Sequence, residues 1–479
     1  MSSLRTDSLL TTHYSLLTTH HSPLTMNIIP IIAIYDIGKT NKKLLLFDEH
    51  YQLVQETCKQ FAEIKDEDGF ECEDVQSLTT WIKDSFTVLL SDEKFTVKAV
   101  NFSAYGASFV YLDEALNVCL PLYNYLKPFD PQLQQQFYDT YGGESLVAKQ
   151  TASPVLGNLN SGMQLYRLKY EQPAAFARIK YALHLPQYLS FILTNKIYAD
   201  ITSIGCHTNL WDFEKNQYHD WVKQEGVDTK LPAVLNGESI AGYTYNTIPV
   251  GVGLHDSSAA LIPYLATFHE PFILLSTGTW CISLNPFNQA PLITAELEND
   301  CLCYMTFEGK PVKASRLFAG YEHEQQLKRI AEYFKQDVNH YKTIPFDAAI
   351  IAQLKIKFPS QNSSVNLKAS AFTQRELAQF KTGEEAYHRL MMDIIAQQVY
   401  STQLVLKNTG INRIFVDGGF GRNAIYMNLL ALNFPELEVY AASMAQATAV
   451  GTALSIHKAW NKKALPNDII ELKYFAAAH

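Results

Sequence analysis

The chain is poor in the features that mark membrane, secreted or nucleic-acid-binding proteins. Nowhere does an apolar run approach the roughly 20 residues that a membrane-spanning helix needs. Cysteine is sparse: seven in 479 residues, at positions 58, 72, 119, 206, 281, 301 and 303, odd in number and without metal-ligand spacing. That set fits free thiols in a reducing cytoplasm, with Cys301 and Cys303 sharing one face of a strand as packing residues. Positive charge is short as well, 39 Lys and Arg against 48 Asp and Glu for a net charge of -9. A main role on nucleic acid is excluded on that ground, because neutralising phosphates needs a basic surface. Missing too are a GxxxxGK[ST] run and a kinase-type Gly-rich loop with its downstream signatures, so any nucleotide must be held in another way.

What is present is an ordinary globular composition, 47% hydrophobic and 18% charged, over a length that suits two large domains or three smaller ones. Residues 1–25 stand apart. SLLTTHY (Ser8–Tyr14) and SLLTTHH (Ser15–His21) are followed by the start of a third copy, SPLT (Ser22–Thr25). The repeat is too poor in apolar residues for a coiled coil and lacks the basic and long apolar regions of a secretion signal. The expectation is a disordered tail of translated upstream sequence with Met26 as the start; a His-rich metal tag is the lesser alternative.

Three glycine turns organise the rest. In Ile31–Asp48, IIAIYDIGKTNKKLLLFD, an apolar strand ends in Asp36, a polar turn follows, and a second apolar strand runs from Leu44. The turn offers backbone N–H groups, the Thr40 hydroxyl and two lysines, Lys42 and Lys43, to an anion, and an Asp beside an anion suggests a cation. PFILLSTGTWCISLNP (Pro271–Pro286) repeats the pattern, with Thr279 following a glycine as Thr40 does. Two such hairpins so far apart suggest duplicated domains facing each other. The third turn, Asp417-Gly418-Gly419-Phe420-Gly421-Arg422-Asn423, joins the strand Arg413–Val416 to a helix over Ala424–Leu432 and forms an anion site at a helix N-terminus.

Around them, Tyr51–Gln60 reads as a third strand, Ser77–Leu90 as a helix and Val97–Phe102 as a strand: the opening of a ribonuclease-H-like domain. Leu159–Tyr170, Phe176–Leu183 and Pro186–Leu193 read as helices and Leu231–Gly242 as loop. VGVGLHDSSAALIPYLA (Val250–Ala266) is a Gly-rich turn into a helix whose N-terminal side holds Asp256 and Ser257, residues able to cap it. Glu384–Lys407 has the spacing of a long amphipathic helix, and Ala445–Leu454 is a small-residue helix suited to close packing behind a nucleotide.

These residues resemble the FGGY carbohydrate kinases of the actin-like ATPase superfamily. YDIGKTNKK is similar to their first phosphate motif, STGTW to the second, VDGGFGRN to the adenosine motif and GLHDSSAA to the segment with the catalytic aspartate. The resemblance runs from about residue 30 to about residue 457 and includes PQYLSFILTNKIYADITSIGCHTNLWDF. Trp280 after the Gly-Thr and His255 before the Asp look like the rhamnulokinase and fuculokinase branch. A Trp near Arg167 and an Asp-x-Arg near Tyr123–Lys127, usual in the family, are absent, and Gln446 stands where a Glu is common.

The resemblance implies an α/β protein of two ribonuclease-H-like (actin-like ATPase) domains with a catalytic cleft between them. Its parts would be 26–265 on the sugar and metal side, 266–460 on the nucleotide side and 461–479 as an extension. It implies transfer of the ATP γ-phosphoryl group to a primary hydroxyl of a ketose, with a deoxy-ketohexose such as L-rhamnulose or L-fuculose ahead of a ketopentose. Asp256 would be the catalytic base and Asp36 would position Mg²⁺. Thr40, Asn41 and Lys43 would contact phosphates, Gly278 and Thr279 would take the γ-phosphate, and Gly418, Gly419 and Asn423 would face the α-phosphate and adenosine. His255, Tyr105 and Gly106 would line the sugar, with Trp280 nearby. The expected partners are a small-molecule sugar and ATP, with no nucleic acid and no membrane; a homodimer stays open. A non-catalytic sugar or nucleotide sensor and a chaperone-like or actin-like ATPase are the competing classes, separated by sugar-dependent turnover.

Overall fold

The computed structural model describes residues 28–245, 247–359, 365–407 and 409–476, and the tail expected over 1–25 lies outside them. Two seven-stranded sheets carry the architecture. In the first, β1 (Ile29–Ile37) is a near-continuous apolar run, as a central strand covered on both faces should be. It pairs antiparallel with β2 (Lys42–Asp48), and β2 pairs with the edge strand β3 (Leu53–Lys59). Helix α1 (Val75–Leu90), capped by the Asp74 carboxylate accepting from the Ser77 N–H at 3.0 Å, leads into β4 (Phe95–Ala104), parallel to β1.

Beyond it, β5 (Phe109–Leu112) pairs antiparallel with β6 (Tyr181–His184), which precedes α2 (Leu185–Thr194). The helix expected over Phe176–Leu183 therefore ends at Arg178 and gives way to a strand. A strand partner about seventy residues earlier overrides the local apolar spacing. The expected loop Leu231–Gly242 likewise runs into an edge strand, β7 (Ile240–Thr244), paired with β8 (Ile248–Gly251). A two-residue strand β9 (Leu254–His255) lies along the end of β4 and feeds α3 (Asp256–Thr267).

The second sheet contains β10 (Phe272–Thr277), β11 (Cys281–Asn285), β12 (Cys301–Met305) and β13 (Pro311–Leu317). After α4 (Ala319–Phe334) and α5 (Gly383–Leu406) it adds β14 (Arg413–Gly418). The chain closes with α6 (Ala424–Asn433), β15 (Glu438–Ser443), α7 (Ala447–Ser455) and β16 (Glu471–Phe475). The order β3-β2-β1-β4-β8 of the first sheet recurs as β13-β11-β10-β14-β15, with the same antiparallel and parallel pairings. This repeated order is the duplicated ribonuclease-H-like fold. The segment expected as an extension supplies β16, the edge strand beside β15.

Two expected helices take other roles. α5 is not amphipathic: 16 of its 24 residues are buried, and polar contacts lock it under the sheet, such as Ser315 Oγ to the Ser401 carbonyl at 2.7 Å. α7 crosses back to the first sheet, where Ala449, Val450 and Ala453 share a core with Ile32, Ile34 and Ala259. A methyl on Gly451 would lie 1.9 Å from the Ala259 carbonyl oxygen, so glycine is required where α7 meets α3.

Candidate active site

The ends of β1, β4 and β9 lie side by side, which brings Asp36, Ser103, Gly106 and His255 to one edge of the first sheet. Asp36 accepts from Ser103 Oγ at 2.8 Å. Burial pushes its carboxyl up to about 6; the Ser103 bond and Lys43 oppose the rise, and the Asp256 charge adds to it. Lys43 is the cross-strand partner of Asp36 and lies 2.9 Å from Glu56 and 3.4 Å from the Gln446 amide oxygen. Thr40 and Asn41 are exposed at the turn, where the Gly38 N–H donates to the Asn41 carbonyl at 2.9 Å. Lys42, expected to face an anion beside Lys43, points the other way. Adjacent strand residues alternate faces, and Lys42 is buried against Glu73 at 2.9 Å.

Asp256 is the first residue of α3 and accepts from the Ser257 N–H at 2.6 Å. Its side chain opens on the cleft, yet the dense protein around it raises its carboxyl to about 6, against the bond from Ser257. His255 Nε2 lies 3.3 Å from Asp256 Oδ1 and 3.2 Å from Cys206 Sγ, and its ring stacks on Tyr304 at 5.9 Å. Burial pulls His255 down to about 4, so the imidazole is neutral and its contact with Asp256 is a hydrogen bond. Its Nδ1 is buried with no partner among the described residues. Gly106 lies under this ring: a methyl there would be 2.7 Å from Nε2. The Tyr105 hydroxyl donates to Glu73 at 3.1 Å and so does not face the cleft as a free donor.

On the second sheet, Thr277 joins two of the glycine turns. Its Oγ1 donates to the Asp417 carbonyl at 2.6 Å and accepts from the Phe420 N–H at 3.0 Å, while its carbonyl accepts from the Gly419 N–H at 3.0 Å. Gly418 has φ +92° and packs so closely that a methyl would lie 1.9 Å from the Thr277 carbonyl oxygen. Gly278 and Thr279 are exposed at the hairpin tip, and Trp280 stacks with Phe318 at 4.5 Å beneath the Arg316 guanidinium. The Asn423 carboxamide caps α6, accepting from the Tyr426 N–H at 3.0 Å, and donates to the Tyr387 hydroxyl at 2.7 Å.

Two cavities gather these residues. One of about 180 Å³ holds Asp256 and Ser257 of the first half with Ser276, Tyr304 and Asp417 of the second. The other, about 450 Å³, is walled by Gly278, Gly320, His323, Tyr387, Gly419 and Asn423. A larger space of about 650 Å³ opens at the far end of α3, around Leu265 and Phe268, and contains none of the expected site residues. The Thr277 clamp, Cys206, Tyr304 and Glu73 escaped the sequence argument. Thr277 lies inside the STGTW motif and was within reach of it; the others carry no local signal.

A duplicated fold with two facing hairpin turns, a strand–helix glycine turn and an aspartate between them is that of a sugar-kinase-type phosphotransfer scaffold. Residues 31–262 match the N-terminal domain of the FGGY family of carbohydrate kinases, and residues 269–464 match the carbohydrate kinase FGGY C-terminal domain. The chain belongs to the FGGY carbohydrate kinase family. Over 273 residues it is 24% identical to the rhamnulokinase of Mannheimia succiniciproducens, a match spanning 54% of each chain and so about half the length of that relative. A carbohydrate kinase from Novosphingobium aromaticivorans superposes with a TM-score of 0.76 at 21% identity, covering 94% of both chains. The xylulose kinase of Lactobacillus acidophilus does so with a TM-score of 0.75 at 14% identity, also over 94% of both. No helix among the described residues is long and apolar enough to cross a membrane.

Proposed function

We propose that the chain transfers the γ-phosphoryl group of ATP to a primary hydroxyl of a ketose, with Asp256 as the base. The observation that carries this reading is the position of Asp256, at the head of α3 and in one cavity with Ser276 and Asp417 of the facing half. Residues 26–265 then form the sugar and metal side and residues 266–460 the nucleotide side. A carboxyl raised to about 6 is about nine-tenths ionised at pH 7 and still close enough to neutral to take a proton well. The helix N-terminus favours that ionised form. The sugar hydroxyl oxygen bonds to the γ-phosphorus, the bond to the β-phosphate oxygen breaks, and the hydroxyl proton passes to Asp256. Phosphoryl transfer needs alignment and charge neutralisation more than covalent help, and the two hairpin turns are suited to supply both.

The nucleotide belongs in the 450 Å³ cavity, with Gly419 and Asn423 toward its α-phosphate and adenosine, Gly278 and Thr279 toward the γ-phosphate, and Thr40, Asn41 and Lys43 opposite. Asp36 fits a Mg²⁺ ion, since it is a carboxylate at the end of β1 whose only side-chain partner among the described residues is Ser103 Oγ, and it would hold the ion while Asp256 stays free as the base. When bound, that ion would neutralise phosphate charge. His255 would meet the sugar through the Nε2 edge of its ring, beside Asp256, and Gly106 leaves the imidazole the room to sit there.

For the acceptor we favour a deoxy-ketohexose such as L-rhamnulose or L-fuculose over a ketopentose. The rhamnulokinase relative and the half-exposed Trp280 at the hairpin tip, an apolar surface for a methyl-bearing sugar, support that choice. The test is ADP release across a panel of L- and D-ketoses with Asp256→Asn as control. Turnover that is sugar-dependent and collapses in the variant is expected. Undiminished turnover in Asp256→Asn removes the base assignment, and ADP release that needs no sugar removes the kinase reading.

A further inference from the structure

Lys42 and Glu73 form a buried ion pair, each side chain no more than 3% exposed, in the half of the molecule that carries the first phosphate turn. The Lys42 ammonium donates to Glu73 Oε2 at 3.0 Å and to the Lys39 carbonyl at 2.8 Å, and lies 2.9 Å from Glu73 Oε1. Lys39 lies inside the turn, so its backbone is tied to a group that cannot move. Glu73 Oε2 also accepts from the Tyr105 hydroxyl at 3.1 Å. Tyr105 in turn donates its N–H to the Ile37 carbonyl at 3.1 Å, and its ring lies 5.9 Å below the Lys39 ammonium. The next residue is Gly106, on which the His255 ring rests. A continuous run of contacts thus leads from the turn through Lys42, Glu73, Tyr105 and Gly106 to His255 and Asp256.

Stability alone is a poor reason for such an arrangement. Removing two charges from water costs as much as their attraction returns, and an apolar pair of similar volume holds a core as well. A buried ion pair held by directed hydrogen bonds does one thing an apolar pair does not: it fixes direction and register.

We propose that Lys42 and Glu73 are positioning residues for phosphoryl transfer. With the Tyr105 hydroxyl they set the Lys39–Asn41 turn at a fixed distance from His255 and Asp256, although neither touches a substrate. The proposal rests on the phosphotransfer reading of the site. It assigns Tyr105 a role through Glu73 in place of direct contact between its hydroxyl and the sugar.

The experiment uses the full chain with three variants: Lys42→Met/Glu73→Leu, Glu73→Gln and Tyr105→Phe. Thermal midpoints are measured beside kcat and KM for ATP and for the ketose. The apolar double variant is expected to melt within a few degrees of the parent while kcat falls about tenfold or more, a fraction of the loss that about 1 Å of misalignment produces. KM for the ketose should stay within about threefold, and Tyr105→Phe should shift kcat in the same direction by less. A folded double variant with the parent's kcat overturns the proposal, as does a kcat loss that tracks the fraction unfolded. If the double variant fails to fold, Tyr105→Phe, which removes one hydroxyl, decides by the same kcat criterion. If the parent itself turns over no ketose, the phosphotransfer reading fails instead. Hydrogen exchange at Gly38 and Tyr105, whose N–H groups donate to the Asn41 and Ile37 carbonyls, then decides the strut: lost protection in the variants supports it, and unchanged protection sinks it.

Discussion

Replacing Gly106 by alanine sets a methyl 2.7 Å from His255 Nε2 and 2.8 Å from its Cδ2. Ordinary contact lies at about 3.5 Å, so the imidazole must retreat by about 0.8 Å. It has little room, being 4% exposed, stacked on Tyr304 and held at 3.2 Å from Cys206 Sγ. Overpacking of this kind costs about 1–3 kcal/mol of stability. The larger effect falls on geometry, because the same retreat disturbs the 3.3 Å contact between His255 and the carboxylate of Asp256. Misplacement on this scale costs up to about 100-fold in rate. The assay is ADP release with the best ketose of the panel, run beside a thermal melt. A second variant, Gly106→Ala/His255→Ala, removes the ring that the methyl strikes. Compared with His255→Ala alone, the added methyl should then cost no further melting temperature while the rate stays low, a non-additive pair of the kind expected for residues in contact. A Gly106→Ala protein within about twofold of the parent in kcat/KM would refute the reasoning, since it would show that the ring can move without consequence.

Two further outcomes follow from the site. Asp36 and Asp256 both have carboxyls raised to about 6 from 3.8, so between those values the folded chain holds protons that the unfolded chain has released. Their contribution favours folding at low pH and is lost as pH rises through about 6. Asp36→Asn should therefore raise the melting temperature more at pH 7 than at pH 5 while crippling turnover on every ketose alike, and kcat/KM of the parent should fall below pH 6 with a slope that steepens toward about a hundredfold per unit, because both carboxylates must be ionised; a melting shift of opposite sign would contradict the burial argument. Thr277→Val removes the hydroxyl that bonds the Asp417 carbonyl and the Phe420 N–H, leaving a buried donor without a partner. It should cost about 1–3 kcal/mol and weaken nucleotide affinity more than ketose affinity, as titration of ADP against each variant would show.

The three glycine turns were legible because their chemistry is local: a Gly and a Thr between two apolar runs mark each hairpin, and a Gly-Gly between an apolar strand and a helix start marks the third turn. The aspartate between them was legible by its place at a helix start. Contacts made across the chain were not. Tyr181–His184 has the apolar spacing of a helix end and becomes a strand only because Phe109–Leu112 waits beside it. Lys42 and Lys43 look alike in sequence, and the alternation of β2 sends one into the core and the other toward Asp36. The helix at Ala447–Ser455 read correctly as a close-packing element, but its partner, Ala259 of α3, lies almost two hundred residues upstream. Cys206 and Tyr304 approach His255 from two other strand–helix units, and nothing near either residue announces it.

That crossing of α3 and α7 explains why neither half can be understood alone. α3 begins with Asp256 in the cleft. α7 begins next to Gln446, whose amide reaches Lys43 at 3.4 Å and Glu56 at 3.1 Å on the first hairpin. Both helices therefore leave the same cleft, one from each half of the sequence, and they meet where Gly451 lies on the Ala259 backbone. Packed helices slide and pivot but do not stretch, so a crossing of this kind couples the two ends it joins. The first hairpin and the head of α3 are thereby tied to one another through that crossing. For the transfer proposed above, the small residues at that crossing help to set where the carboxylate of Asp256 stands.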